Sequence, residues 1–321
     1  MQEKLLTLCI DASMGCNRLA ECLDSVVIIP SVASLDTLLL VAEGDEDTEK
    51  IAQNYIARYP ELIRTEVRNY EKTFVQQSSE CALGKYLRPI GSDCVVEPSD
   101  MDLLLRFLTD CDDDMVVHGC SVTDKSTGEK SGYSVPLGMI GRGVAVEYAA
   151  TMMSGLPSQA AIFKTELVRR GGGIKNWGND YSEFFVSGLM QTASVGGVDA
   201  DLCRFTAPVS LVFTDAEALE QTVFNLIELL NAYTTLTDKN GATKMCIANR
   251  IANLALSRLE LWLCAPCDAV VRDEIYSFFN KLRRANKDVF ECFAENKYAK
   301  RLCMGKLMYR MVAKSYQKKN K

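Results

Sequence analysis

Residues 5–26 read LLTLCIDASMGCNRLAECLDSV, and they decide how the rest of the chain is read. LLTLCI (5–10) is an apolar run of strand length, Asp11-Ala12-Ser13-Met14 is a polar turn, and apolar residues from Leu19 to Val27 fall at helical spacing. The same order repeats downstream. TLLLVAE (37–43) predicts a second strand, and DTEKIAQNYIARY, opening at Asp47, predicts a helix with Ile51, Tyr55 and Ile56 on one face. IRTEV (63–67) follows as a third strand, Gln76 to Leu83 as a short helix and KYLRPI (85–90) as a fourth strand. Ser99, with Asp102 three residues on, predicts a capped start for the helix DMDLLLRFL, and MVVHGCSV (115–122) is another strand. Strands alternating with helices imply an α/β fold, a mostly parallel sheet flanked by helices.

Residues 123–135, polar and turn-rich, predict a surface hairpin or loop. From Thr214 the texture is helical throughout. Thr214 and Glu217 form a capping-box pattern ahead of a stripe of Leu219, Val223, Leu226 and Leu230. Further helices are expected at 243–263, 268–285 and 288–317. The expected domains are therefore 1–213 and 214–321, the second all-helical with a basic tail.

The first of these domains resembles the family 2 glycosyltransferases of GT-A fold. The opening LLTLCIDASMGCNRLAECLDSV keeps that family's strand–turn–helix spacing, and VAEGDED (41–47) stands where the family has a second strand running into Val-Asp-Asp-Gly-Ser-Thr-Asp. GKYLRPIGSDCVVEP (84–98) corresponds to its fourth strand and the Asp-Ser-Asp-Asp that closes it. SQAAIFKTELVRRGG (158–172) and GNDYSEFFVSGLM (178–190) follow where the family places a Lys-Leu-Phe-Arg-Arg-Glu-Leu element and its Glu-Asp catalytic turn. The resemblance implies transfer of a sugar from a nucleotide-diphosphate donor to a glycan or lipid-linked acceptor in bacterial surface polysaccharide synthesis, with inversion at the anomeric carbon.

It also implies roles for particular residues. Ala12, Ser13, Glu43 and Ser92 would hold the nucleotide, and Asp93 would bind Mg²⁺ or Mn²⁺. Asp180 would take the acceptor proton, with Glu183 one turn away as its substitute, and Trp177 would stack on the acceptor sugar. Several family positions have changed. The opening aromatic is absent from Asp11-Ala12-Ser13-Met14, the ribose Asp is missing from Gly91-Ser92-Asp93-Cys94, and Phe74-Val75-Gln76 replaces an Arg-containing element. Asn179 stands in for the Glu before Asp180. Two readings follow: an active transferase with degenerate donor motifs, or a homologue that has lost turnover and serves as a binding or scaffold subunit.

Composition excludes other classes. The chain has 321 residues, 48% hydrophobic and 24% charged, which is ordinary globular usage. No apolar run reaches membrane-spanning length and the first residues lack a signal-peptide pattern. Thirteen cysteines without regular spacing fit free thiols in a reducing cytoplasm. Cys264 and Cys267 have no second pair and no His at ligand spacing, so no zinc is expected. The single histidine, His118, ends an apolar strand and is expected to be structural. No GxGxxG follows the first strand, and Gly171-Gly172-Gly173 lacks the lysine of a phosphate loop.

Net charge is −6, yet residues 281–321 hold 13 Lys and Arg against 3 Asp and Glu. An acidic body without a recognition motif excludes nucleic acid as partner. The tail has Met304, Leu307, Met308 and Met311 on one helical face among lysines and arginines. It is either a terminal helix packed on the body or a basic amphipathic helix of 297–321 on an anionic membrane, at the inner face. Homo-oligomerisation stays open.

Overall fold

The computed structural model describes residues 3–13, 18–124, 130–170, 181–207 and 216–319. The chain divides into two compact units, Met1–Val209 and Ser210–Lys321. The expected boundary at 213 and the capping residue Thr214 lie outside the described residues.

The first unit is built on a ten-stranded sheet. Its parallel half comprises β1 (Leu6–Asp11), β2 (Leu35–Val41), β3 (Ile63–Val67) and β4 (Tyr86–Gly91), ordered β3-β2-β1-β4. Beyond β4 the sheet is mixed. Besides β5 (Val95–Val96), β6 (Met115–Asp124), β7 (Lys130–Tyr133) and β8 (Gly141–Ala145), it holds β9 (Ala161–Lys164) and β10 (Ser194–Ala207). β9 lies antiparallel between β4 and β6, β10 runs parallel to β6, and β5 and β8 pair antiparallel with β10. Of the polar stretch 123–135, read as a hairpin or loop, β7 returns antiparallel along β6, and 125–129 lie outside the described residues.

Every residue of β2 is buried, as a central parallel strand covered on both faces requires. Helix α1 (Leu19–Val27) buries Leu19, Cys22, Leu23 and Val26, the i, i+3, i+4, i+7 stripe that its sequence predicts. That stripe packs into one core with Leu6, Leu8 and Ile10 of β1. α2 (Glu46–Arg58) and α3 (Phe74–Cys81) are capped by Asp45 and Thr73, whose side chains accept from Thr48 N and Gln76 N.

α4 (Pro98–Thr109) corrects the expected cap. Pro98 fixes the first helical position, so Ser99 lies inside the helix and the cap position falls on Glu97, whose side chain makes no capping bond. Asp102 instead accepts from the Ser31 hydroxyl and pairs with Arg106 at 2.7 Å. α5 (Val146–Ala150), α6 (Thr165–Arg170) and α7 (Tyr181–Gln191) complete this unit.

The second unit is helical: α8 (Ala216–Thr235), α9 (Gly241–Cys264), α10 (Ala269–Ala285), α11 (Lys287–Ala294), α12 (Lys297–Cys303) and α13 (Tyr309–Lys319). The single helix expected over 288–317 is broken twice. The Asn296 side chain accepts from Tyr298 N and Ala299 N and starts α12 afresh, and Gly305 turns the chain at φ +135°, a conformation that favours glycine. Phe278, Phe279, Phe290 and Phe293 form the aromatic centre of this unit, with ring centroids 5.1 Å apart for Phe279 and Phe293. The described cysteines, Cys264 and Cys267 included, are free thiols. No described helix is long and apolar enough to cross a membrane.

Candidate functional site

β1 sits between β2 and β4 in matched register: Asp11 is level with Leu40 on one side and with Gly91 on the other. The turns leaving these three parallel strands therefore emerge side by side at one edge, about 4.8 Å apart from strand to strand. Strand order reverses here, since β2 and β3 extend from one flank of β1 and β4 from the other. In open α/β sheets the crevice outside the carboxyl ends at such a reversal is where ligands bind.

Each turn places a residue that the sequence singled out. After β1, the Asp11 carboxylate accepts from the Ser13 backbone N–H at 3.1 Å and from the Ser13 hydroxyl at 2.6 Å. This local turn orients Ser13 and occupies one oxygen of Asp11. Ala12 is fully buried and its N–H is bonded to Leu40 O at 3.0 Å. After β2, Asp45 N closes on Ala42 O, holding Glu43 exposed at the mouth of the turn ahead of α2. After β4, Cys94 N closes on Gly91 O at 3.2 Å, which leaves Ser92 and Asp93 at the tip. Cys94 is buried beneath the tip and Asp93 is exposed.

Ala12, Ser13, Glu43, Ser92 and Asp93 are thus gathered on one edge. Glu183 is not part of that exposed edge. It lies in the first turn of α7 and is buried, beside Phe184 and Phe185, whose rings meet the Phe163 ring edge-on. Trp177 and Asp180 lie outside the described residues.

Two further features escaped the sequence reading. Arg18, just ahead of α1, grips Glu21 through two hydrogen bonds of 2.8 and 2.9 Å. That bond, followed by the carboxylate charges of Glu21 and Asp93, holds its pKa above the usual arginine value. A cation thus stands within the field of Asp93, and only the turn's polarity signals it in the sequence. The second feature is buried. Arg88, in the middle of β4, places Nη1 2.6 Å from His118 Nε2, and His118 Nδ1 lies 2.7 Å from Gly119 O. A guanidinium only donates, so Nε2 accepts and Nδ1 carries the ring proton. Burial, and then the Arg88 charge, pull the His118 pKa well below its ordinary value, and the ring is neutral. His118 is structural, as its position in an apolar strand suggests. β4 bonds to β9 only at Tyr86 and Leu87, and Pro89 has no N–H to extend that pairing.

The edge fits a divalent cation in one specific way. Among the described residues no three His, Cys, Asp or Glu side chains converge as a metal cage. One exposed carboxylate, Asp93, projects from the β4 turn. A hard cation such as Mg²⁺ is commonly held by one or two carboxylates together with substrate phosphate oxygens, not by an all-protein cage. Asp93 matches that donor pattern.

No protein-family model and no curated protein sequence matches this chain. Solved structures do. The chain superposes on S. aureus TarS 1–349 with a TM-score of 0.67 at 11% identity, covering 98% of this chain and 90% of that one. The same TarS fragment in complex with UDP-GlcNAc gives 0.62 at 11% identity, over 98% of this chain and 92% of that one. The fold is GT-A-like. The mannosyltransferase PcManGT from Pyrobaculum calidifontis, in complex with GDP-Man and Mn²⁺, matches with a TM-score of 0.51 at 12% identity, over 100% of this chain and 89% of that one. At these identities the likeness is one of fold.

Proposed function

We propose that the chain transfers a sugar from a nucleotide-diphosphate donor to a glycan or lipid-linked acceptor of a bacterial surface polysaccharide, working in the cytoplasm at the inner face of the membrane. The observation that carries this reading is the shared edge: Ser13, Glu43 and Asp93 project from three in-register strand ends at the reversal of strand order. Glu43 accepts hydrogen bonds from the nucleoside, while Ser13 and Ser92, with the main chain at Ala12, border the nucleotide. Asp93 would hold Mg²⁺ or Mn²⁺, which when bound neutralises diphosphate charge. The acceptor hydroxyl oxygen forms the new bond to the anomeric carbon as the bond to the diphosphate oxygen breaks. The diphosphate leaves with the electron pair and Asp180 takes the hydroxyl proton. Trp177 stacks on the acceptor. The donors in the neighbouring complexes, UDP-GlcNAc and GDP-Man, support a nucleotide-sugar as ligand class.

One observation favours the scaffold reading: Asp11 spends an oxygen on Ser13, so the edge offers few free carboxylates. Calorimetric titration with uridine diphosphate, with and without Mn²⁺, separates the two. The transferase reading expects Mn²⁺-dependent binding that Asp93→Ala weakens about tenfold or more, the size of one charge-assisted contact of 1.5–3 kcal/mol. Absence of binding by uridine and guanosine diphosphates alike sinks the transferase reading and leaves the scaffold.

A further inference from the structure

We infer that the turn joining α12 to α13, together with the first residues of α13 (Met304 to Met311), is a docking knuckle for an anionic lipid bilayer. This deepens the sugar-transfer reading by naming the surface that would bring the enzyme to a lipid-linked acceptor, and it rests on that reading only for its purpose. The expected amphipathic helix lying flat is not what the chain builds. The apolar faces of α12 and α13 are already used: Tyr298, Ala299 and Leu302, then Tyr309, Val312, Ala313 and Tyr316, are buried within the unit. Tyr298 and Tyr316 lock the two helices together edge-on at 5.1 Å. What remains outside is the turn. Leu307 is 98% exposed, Met304 74% and Met311 51%, exposures that the packing of this unit does not require.

Charge selects the occupant. Residues 297–321 hold nine Lys and Arg and no Asp or Glu. Lys306 and Arg310 flank Leu307, and both line a groove of about 220 Å³ whose other wall is Asp268, Ala269 and Arg272 at the start of α10. Val270, in that same first turn of α10, is also exposed. The two acids there are committed: Asp268 caps Val271 N, and Asp273 pairs with Arg272 at 3.0 Å and with Lys306 at 2.8 Å. An apolar tip ringed by cations is complementary to a bilayer with anionic headgroups, where the tip enters the acyl boundary and the cations stay at the phosphates. A second copy is a poor occupant. It would set like charges against each other around a few side chains, far short of the roughly 1,200 Å² that a stable interface buries.

Flotation of the full chain with vesicles, in the absence of nucleotide, tests the inference. The protein should float with phosphatidylcholine vesicles containing phosphatidylglycerol, not with pure phosphatidylcholine, and should be released by raised salt. The double variant Leu307→Glu/Met311→Glu should bind about tenfold or more weakly, since it removes the apolar contact and sets two negative charges among the cations. Leu137→Glu, at a leucine of the first unit that is also largely exposed, should bind as wild type. Thermal unfolding checks that the double variant folds, and the milder Leu307→Ser serves if it does not. No partition into anionic vesicles, equal binding by the Leu307 variants, or a wild-type dimer that Leu307→Glu splits would each overturn the inference. Asp93→Ala should float like wild type, so loss of the donor site and loss of docking are told apart.

Discussion

The two ends of β1, β2 and β4 are made of similar residues and put to opposite uses. At the amino-terminal end Thr7, Asp36 and Arg64 answer one another in one network. The Thr7 hydroxyl donates to Asp36 at 2.7 Å and accepts from Leu83 N and Gly84 N. Asp36 receives Arg64 through Nε and Nη2 at 2.8 and 2.9 Å, and Arg64 also reaches Cys81 O. Gly84 is pressed so close that a Cβ there would stand 2.3 Å from Thr7 N. At the carboxyl-terminal end the acids Glu43 and Asp93 face outward. A closed polar network holds the strands in register, and an open row of acids gives a ligand something to meet. The same three strands thus anchor the fold at one end and, in the function proposed, leave chemistry to the other.

The sharpest way to break the contrast is at the closed end. Asp36→Ala removes the buried anion that faces the partly exposed Arg64 and that accepts from the buried Thr7 hydroxyl. Unfolding in urea should show a loss of about 3 kcal/mol, the scale for breaking a buried pair by deleting one partner. A loss below about 1 kcal/mol, within the range of exposed ion pairs, would mean that the network is ornamental and that apolar packing alone sets the register.

The buried Arg88–His118 pair gives a smaller effect with a clear sign. His118 is neutral in the fold, its pKa held well below 6.5 by burial and then by Arg88. Below pH 6.5 the unfolded chain takes up a proton that the folded chain refuses. Its contribution is therefore complete above that pH and is lost as pH falls toward the folded value. Stability should drop by up to about 1.4 kcal/mol per pH unit in that window from this one group. His118→Gln, neutral throughout, should flatten the acid slope by that amount in urea titrations from pH 6.5 downward. An unchanged slope would mean that the ring is protonated in the fold.

Which of these features could be read from sequence follows from how local their causes are. β1 and β2 were legible because each is a short, largely apolar run, and α1 because its stripe repeats at 3.6 residues. The break at Gly305 was not, because the apolar period of Met304, Leu307, Met308 and Met311 continues across it while only one residue turns the chain. Ser99 looked like a cap by composition, but Pro98 takes the first helical position and the cap falls on Glu97. The gathering of Ser13, Glu43 and Asp93 has no local signature at all. It depends on β1 lying between β2 and β4, a fact of pairing between residues 29 and 80 positions apart. Arg18 is hidden for the same reason, since its relation to Asp93 crosses from one turn to another.

The smallest expected change in stability belongs to the open end, and it is the most informative. Asp93 is exposed at the tip of the Gly91–Cys94 turn, while the turn itself is closed by a backbone bond from Cys94 N to Gly91 O that the side chain does not make. Asp93→Ala should therefore leave the unfolding midpoint within the roughly ±0.5 kcal/mol typical of surface changes while donor binding falls. A loss of several kcal/mol would place Asp93 with Asp36, as a structural acid, and would erase the distinction between the two ends of the sheet. Unchanged stability with lost nucleotide binding is the outcome that only a ligand-facing carboxylate gives.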